Sequence, residues 1–208
     1  SELDAEYISG AYAVHFPGML LELTEEMRGA CERLVEIARE KGILVSFDPN
    51  IRRELSADAA ARARLLWAVR HADVVAPTLS EGQMITGETS IGDVLRALHA
   101  MGPRVVALTR DKDGAVLSRG GEVAVAAGID EEPVDPTGAG DTLAAALCVG
   151  LQEDMPLARL AAFCNCAGTL VIKKKGAIGM ALPERGQVDA MVASGVCRVE
   201  CMPLESLV

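Results

Sequence analysis

Aromatic residues are scarce in this chain of 208 residues: they make up 3% of it, although 50% is hydrophobic. The core must therefore be built from small and branched aliphatic side chains, which let helices pack closely on a sheet. Basic residues are also in deficit, and the net charge of −10 argues against a nucleic-acid partner, because such proteins carry a basic face. A small anionic ligand stays compatible with this charge, since a local group of amides can bind phosphate.

Long apolar runs are missing as well. None approaches the roughly 20 residues needed to cross a bilayer, so no membrane partner is expected. The sequence does not open on a signal peptide, which favours a cytoplasmic location. The six cysteines lack zinc-site spacing, and Cys164 and Cys166 would point to opposite faces of one predicted helix. We therefore expect reduced, mostly buried thiols.

Helical and strand patterns alternate along the chain with short connections. Thr24 is a good N-cap for a helix that ends before Gly42, and the apolar run at 43–48 is typical of a buried parallel strand. Further helices are predicted at 56–70, 138–151, 156–173 and 184–194, with one or two helices, broken near Gly87, at 80–101. Further strands are predicted at 6–14, 72–77, 104–109, 115–118, 122–126 and 197–204. The alternation predicts a doubly wound, mostly parallel α/β sheet with ligands at the carboxyl ends of its strands.

The stretch V-D-P-T-G-A-G-D-T-L at 134–143 places two glycines and an acid at the start of a predicted helix. First-turn amides are free, the N-terminus is positive, and Gly138 and Gly140 keep side chains away, which predicts an anion site. Asp141 would repel a phosphate, but it suits a general base that takes a proton from a hydroxyl beside such a site. The alternative is a tight loop in which Asp141 only caps the helix.

This stretch resembles the C-terminal signature of the PfkB-type, or ribokinase-like, carbohydrate kinases, D-T-T-G-A-G-D-x-F-x-G-A-L. F-D-P-N-I-R at 47–52 is similar to a segment of the fructokinase and 2-keto-3-deoxygluconate kinase members, and further similar segments lie at 8–12, 76–87, 107–115 and 164–177. The resemblance implies a three-layer α/β/α sandwich, with residues 1–208 forming one domain. It also implies that the family's N-terminal sugar-binding strands and lid are missing, so this segment alone should be a poor kinase.

The resemblance implies ATP-dependent phosphorylation of a sugar or sugar-acid hydroxyl, with Mg²⁺ as cofactor. Asp141 would be the catalytic base, and the amides of Gly138, Ala139 and Gly140 would form the anion hole. The remaining roles that carry over are nucleotide binding by Thr109, Gly114, Asn165 and Gly176, substrate binding by Asn50 and Arg52, Mg²⁺ binding through water by Glu81, and binding of a monovalent cation such as K⁺ by Asp135 and Thr137.

Two residues depart from the family pattern. Thr78 stands where the family has Asn, and Asp111 stands where it has Gly, which adds a carboxylate near the expected phosphates. These departures leave open a second function, that of a kinase-fold protein that binds nucleotide or a partner without catalysis. A solvated Arg52 is an alternative to a substrate-binding one. The sugar remains open between fructose, a keto-sugar acid and other sugars, and a homodimer is compatible with the resemblance.

Overall fold

A computed structural model describes residues 3–51 and 58–207, which divide into two compact units, one ending at Val106 and the other running from Ala107 to Leu207. The described helices are α1 Ala5–Ser9, α2 Leu20–Leu23, α3 Glu25–Lys41, α4 Ala59–His71, α5 Leu79–Thr86, α6 Ile91–Met101, α7 Ala139–Gln152, α8 Leu157–Ile172 and α9 Arg185–Ala193. The described strands are β1 Ala13–Pro17, β2 Leu44–Asp48, β3 Val74–Val75, β4 Val105–Thr109, β5 Gly114–Arg119, β6 Glu122–Ala127 and β7 Val199–Pro203.

Parallel strand pairing builds the first unit. β1 and β2 pair along their full lengths, whereas β3 pairs with β2 and with β4 at two positions each. Helix α3 packs against β1 and β2, and α4 packs against β2. Phe16 and Phe47 are almost fully buried, with ring centroids 5.2 Å apart, so two of the few aromatic residues lie together in this core. The predicted α/β pattern with parallel strands is confirmed here.

Helix α3 shows why the helix boundaries could be predicted. The Thr24 hydroxyl accepts a hydrogen bond from the Met27 amide at 3.2 Å, and Gly42 ends the helix with a left-handed φ of 67°. The buried stripe consists of Cys31, Val35, Ile37 and Ala38. These positions repeat at helical spacing, so one face of α3 packs on the sheet and the charged face meets solvent.

Two predicted strands differ from the structure. The strand predicted at 6–14 is wrong: α1 occupies its first part, because the Asp4 carboxylate accepts the Glu6 and Tyr7 amides at 2.9 and 3.0 Å and caps a helix. The strand predicted at 72–77 pairs only over β3. The break expected near Gly87 within 80–101 is confirmed, since a φ of 82° at Gly87 ends α5 before α6 begins.

The second unit contains an antiparallel group of strands. β5 pairs with β6 through a hairpin whose turn residues, Gly120 and Gly121, have φ values of 62° and 83°. β7 pairs antiparallel with β6, which confirms the expected C-terminal strand. Helix α8 packs on β5, β6 and β7 and lies between α7 and α9.

All six cysteines are free, and four of them are buried, as expected. Within residues 3–51 and 58–207, we find no helix with the length and apolar character that a membrane span requires.

Candidate active site

The glycine-rich loop before α7 is held in place by Asp135. One oxygen of this carboxylate accepts the Thr137 amide at 3.0 Å, and the other accepts the Gly176 amide at 2.9 Å. Hydrogen bonds from the Thr137 side chain and from both amides lower the pKa of Asp135 to about 2. Asp135 therefore stays ionised and joins the loop to the segment that follows α8.

Gly138 is required where the loop enters α7. Its φ is 85°, a left-handed conformation that other residues rarely adopt, and a Cβ added there would lie 2.7 Å from the Cβ of Ala177. The two predicted site segments, 135–141 and 176–177, thus approach each other closely. A glycine is needed both for the backbone angle and for the space.

The first turn of α7 presents free amide groups. Among the described residues, no acceptor meets the amides of Gly138, Gly140 or Asp141, whereas the Ala139 amide makes a long hydrogen bond of 3.4 Å to the Pro136 carbonyl. Helix α7 is 14 residues long, so its dipole adds positive potential at this end. The arrangement can accept an anion from solvent, with three of these amides unpaired.

Asp141 lies in the same turn and is exposed to solvent. No hydrogen-bond or ion-pair partner meets its carboxylate within the part of the chain that the structure describes. Its neighbour Thr142 is only 7% exposed, and no described group bonds to the Thr142 hydroxyl. The hydroxyl is thus a buried polar group of the kind that normally has a partner. The Asp141 carboxylate, which no described group of its unit bonds, can therefore accept a hydrogen bond or a proton from another molecule.

Asp141 and Thr142 border a cavity of about 470 Å³ whose other walls are mostly apolar. Phe163 from α8, Val149 from α7 and Leu182 contribute to these walls. Arg185 closes one side: its guanidinium lies 5.0 Å from the Phe163 ring centroid and hydrogen-bonds to Glu153 and Asp189. The sequence pattern did not indicate this cavity, because its lining comes from three helices and a loop.

Glu81 binds three hydrogen-bond donors of its own unit. Its carboxylate accepts the Ile51 amide at 2.6 Å and the Thr78 amide and hydroxyl at 2.8 and 2.9 Å. Thr78, the residue that departs from the family pattern, is the N-cap of α5 and forms a capping box with Glu81. Glu81 therefore holds the segment after β2 against the start of α5.

The predicted substrate residues follow β2. Asn50 has a φ of 38°, and its amide donates to the Asp48 carboxylate at 3.0 Å. Aspartate side chains commonly form such a turn with the amide two residues further along the chain. Asn50 directly precedes Ile51, whose amide donates to Glu81. Arg52 lies outside the described residues.

The predicted nucleotide residues of the second unit form two groups. Thr109 ends β4 and Gly114 begins β5, and the turn between them closes through the Arg110 amide and the Gly114 carbonyl at 2.8 Å. Asp111 has a φ of 49°, which explains why glycine suits this position.

Asn165 is 8% exposed, and its amide nitrogen donates to the Ala127 carbonyl at 2.9 Å and lies 3.3 Å from the Cys197 sulfur. Its side chain thus joins α8 to the end of β6. Gly176 lies with the glycine-rich loop instead, through its hydrogen bond to Asp135.

Residues 1–185 match the sequence profile of the "pfkB family carbohydrate kinase". The chain belongs to the pfkB family. Fructokinase-1 of Zea mays is 31% identical over 210 residues, which cover 92% of this chain and 61% of the maize protein. The chain thus spans about three fifths of the length of this curated relative.

Solved structures of similar proteins agree with this family membership. An Escherichia coli ribokinase-type protein in complex with ATP and Mg²⁺ superposes with a TM-score of 0.85 at 23% identity, covering 92% of this chain and 62% of that one. Fructokinase from Vibrio cholerae O395, in its fructose-, ADP- and calcium-bound form, has a TM-score of 0.76 at 29% identity, covering 86% and 60%. The expected ribokinase-like α/β fold is therefore confirmed.

Some features of this pfkB-family chain left no signal in its sequence. Gly18 approaches the segment after β2 so closely that an added Cβ would lie 2.1 Å from the Pro49 carbonyl oxygen. Gly128 is similarly close to the Lys112 carbonyl oxygen, at 1.8 Å. Both glycines are required by backbones distant in sequence, which a single sequence does not show.

Proposed function

We propose that the protein to which this chain belongs transfers the γ-phosphoryl group of ATP to a hydroxyl of a sugar or sugar acid. One observation carries the proposal: the first turn of α7 places an unpartnered carboxylate, Asp141, beside unpaired backbone amides. Membership of the pfkB family and the fructokinase names of its relatives support the same activity.

Asp141 acts as the general base in this proposal. It accepts the proton of the acceptor hydroxyl as the oxygen attacks the γ-phosphorus, and the bond to the leaving ADP oxygen breaks. The amides of Gly138 and Gly140 stabilise the negative charge on the phosphoryl oxygens during transfer, with Ala139 assisting once it leaves the Pro136 carbonyl. Asp141 thus binds the hydroxyl proton while the amides bind the phosphoryl oxygens. The negative charges of the carboxylate and of the phosphoryl group therefore have separate partners.

The residues expected to hold cations fit that role. An ionised carboxylate offers about four acceptor positions, and three donors meet Glu81, which leaves one for a water that binds Mg²⁺. Asp135 is held ionised, and no described donor meets the Thr137 carbonyl, so both can contribute oxygens to K⁺. When bound, Mg²⁺ neutralises phosphate charge during transfer.

Fructose is the first substrate to test, since the maize relative and the Vibrio cholerae structure are both fructokinases. Asn50 follows β2 in a turn fixed by Asp48, and Arg52 is two residues further along the chain. A guanidinium at this position would suit the carboxylate of a keto-sugar acid, because it can donate two parallel hydrogen bonds. A comparison of fructose with 2-keto-3-deoxygluconate therefore tests the role of Arg52.

The decisive experiment replaces Asp141 by Asn in the full-length protein and measures ADP release with a panel of sugars. We expect kcat to fall by about 10²–10⁴, the usual contribution of a general base. The unfolding temperature should fall only slightly, because the carboxylate has no described hydrogen-bond partner to lose and its interaction with the helix dipole contributes about 0.3–1 kcal/mol. Asp93→Asn is the matched control: Asp93 is the third residue of α6 and also follows a glycine, and it should leave kcat unchanged.

Two results would contradict the proposal. Full turnover in Asp141→Asn would exclude Asp141 as the base. ATP binding without turnover of any sugar in the unaltered full-length protein would instead favour a non-catalytic nucleotide-binding protein. That second function is motivated by Asp111, whose carboxylate lies in the turn where nucleotide phosphates are expected.

A further inference from the structure

The proposed phosphoryl transfer makes no use of the cavity of about 470 Å³ beside Asp141. Helix α7 contributes four further lining residues, Thr142, Ala145, Ala146 and Val149. Their spacing places them on one face of the helix. Among the described residues that line the cavity, none belongs to 138–140, whose amides form the proposed anion hole. The cavity therefore extends along the side of α7, away from the place where phosphate is expected.

Apolar side chains form most of the cavity wall. Beyond α7, the described lining consists of Phe163 and Ala167 of α8, Arg185 and Val188 of α9, and the intervening Leu182 and Pro183. Asp141 and Leu182 are exposed, so the cavity opens to solvent beside them. An apolar cavity of about 150 Å³ is already large enough to bind benzene. This larger cavity therefore has room for a bicyclic aromatic group, whose burial is favourable.

The described lining includes two charged residues, Asp141 and Arg185. The Arg185 guanidinium is neutralised by other acids, since it donates to Glu153 at 2.5 and 2.8 Å and to Asp189 at 2.7 Å. The Asp141 carboxylate has no such partner among the described residues. The N-terminus of α7 carries roughly half a positive charge, which offsets only part of the charge of this carboxylate. The open border of the cavity therefore keeps a negative charge that attracts a cation and repels an anion.

We propose that this cavity is a binding site for an arylalkylamine, a molecule that carries a protonated amino group on a short chain attached to an aromatic ring system. The ring system is buried among α7, α8 and α9, where Phe163 and the small alanine side chains leave space for it. The ammonium group donates a hydrogen bond to the Asp141 carboxylate at the open border. Both parts of the ligand are needed, because the ring supplies the buried apolar area and the ammonium group matches the charge.

Isothermal titration calorimetry of the full-length protein with tryptamine tests the proposal, in the absence of ATP and sugar. Tryptamine joins a bicyclic ring system to an ammonium group through a short chain. Indole-3-acetate has the same ring system with a carboxylate in place of the ammonium group, and ethylamine lacks the ring system. We expect tryptamine to bind saturably at one site, and indole-3-acetate and ethylamine to bind much more weakly at the same ionic strength.

Substitutions on α7 locate the bound amine. Ala146→Leu places a larger side chain in the cavity and should abolish saturable binding, whereas Gln152→Leu, on the same helix but outside the lining, is the matched control and should bind tryptamine as the wild type does. Asp141→Asn keeps the cavity and should raise the Kd of tryptamine by about 2- to 5-fold, the range for an exposed ion pair. Added salt should weaken binding by the wild type but not by Asp141→Asn. Circular dichroism establishes that each variant is folded, and Ala145→Leu, at a more exposed position of the same wall, replaces Ala146→Leu if that variant does not fold.

Three outcomes would overturn the proposal. The first is a folded protein that does not bind tryptamine saturably, including the case in which another segment of the full-length protein fills the cavity. The second is equal affinity of the wild type and the cavity-filling variant, which would place the amine elsewhere. The third is binding of indole-3-acetate as tight as that of tryptamine, or an unchanged Kd in Asp141→Asn, since either would show that Asp141 does not select the charge. None of these measurements requires turnover, so this site and the proposed function are tested separately.

Discussion

Replacement of Gly138 by Ala tests the geometry of the glycine-rich loop directly. A left-handed φ of 85° costs a non-glycine residue about 1–2 kcal/mol. Alanine also restricts the unfolded chain, which returns about 0.4–1 kcal/mol. The backbone angle alone should therefore lower the free energy of unfolding by about 0.5–1 kcal/mol.

The close approach of Ala177 adds a second cost. The new Cβ would lie 2.7 Å from the Ala177 Cβ, and relief of such a contact by backbone shifts costs about 1–3 kcal/mol. Gly138→Ala should thus lower the free energy of unfolding by about 2–4 kcal/mol in total. Gly179→Ala separates the two effects, because Gly179 has a φ of 60° and no atom within 4 Å of the added Cβ.

Urea unfolding followed by circular dichroism measures both variants on the same unit. We expect the midpoint to shift markedly in Gly138→Ala and only slightly in Gly179→Ala, with similar slopes. Equal losses in the two variants would show that 135–141 and 176–177 do not approach each other as described. The loop would then lack the rigidity that positions its amides.

Three other changes have outcomes that follow from the structure. Gly18→Ala should lower the free energy of unfolding by about 1–3 kcal/mol, because the added Cβ would lie 2.1 Å from the Pro49 carbonyl oxygen. Gly29→Ala lies in an open position of α3 and should raise the free energy of unfolding by about 0.5–1 kcal/mol. Similar urea midpoints for the two variants would refute this. The stability that Asp135 contributes is complete above the unfolded pKa near 4 and is lost as the pH falls through about 2. The free energies of unfolding of wild type and Asp135→Asn should therefore differ by a constant amount at neutral pH and converge as the pH falls from about 4 to about 2 in acid titrations. Thr142→Val removes a buried hydroxyl without a described partner, so it should raise the melting temperature and the free energy of unfolding, the latter by about 1 kcal/mol. Thr169→Val loses a 2.9 Å hydrogen bond and should lower the free energy of unfolding by about 1 kcal/mol. A loss of stability in both variants would show that the Thr142 hydroxyl has a partner.

Local signals in the sequence were sufficient for several elements. Thr24 and Gly42 delimit α3 because capping involves only neighbouring residues. The glycines and the acid at 138–141 predicted an anion site because a helix N-terminus is a local structure with fixed chemistry. The strand predicted at 6–14 was wrong because another local signal, the Asp4 cap, starts a short helix there. The two hydrogen bonds of this cap outweigh the weak strand pattern.

Other parts of the site depend on contacts between distant segments. Glu81 could be aligned to a family position, but its bond to the Ile51 amide joins residues 30 apart. The Asn165–Cys197 contact joins residues 32 apart, and no spacing rule predicts a contact that packing alone creates. The unpartnered hydroxyl of Thr142 depends on the arrangement of three helices. Such features become visible only when the chain is folded.

The unequal roles of Glu81 and Asp141 have a consequence for how relatives of this chain diverge. Replacement of Glu81 would cost stability whatever its part in the proposed reaction, because three donors would lose their acceptor. Asp141 has no described hydrogen-bond partner, so its replacement would affect the proposed reaction far more than stability. If the proposed mechanism holds, a relative without kinase activity would therefore keep Glu81 but not Asp141. Inspection of the position of Asp141 alone would distinguish working enzymes from inactive descendants.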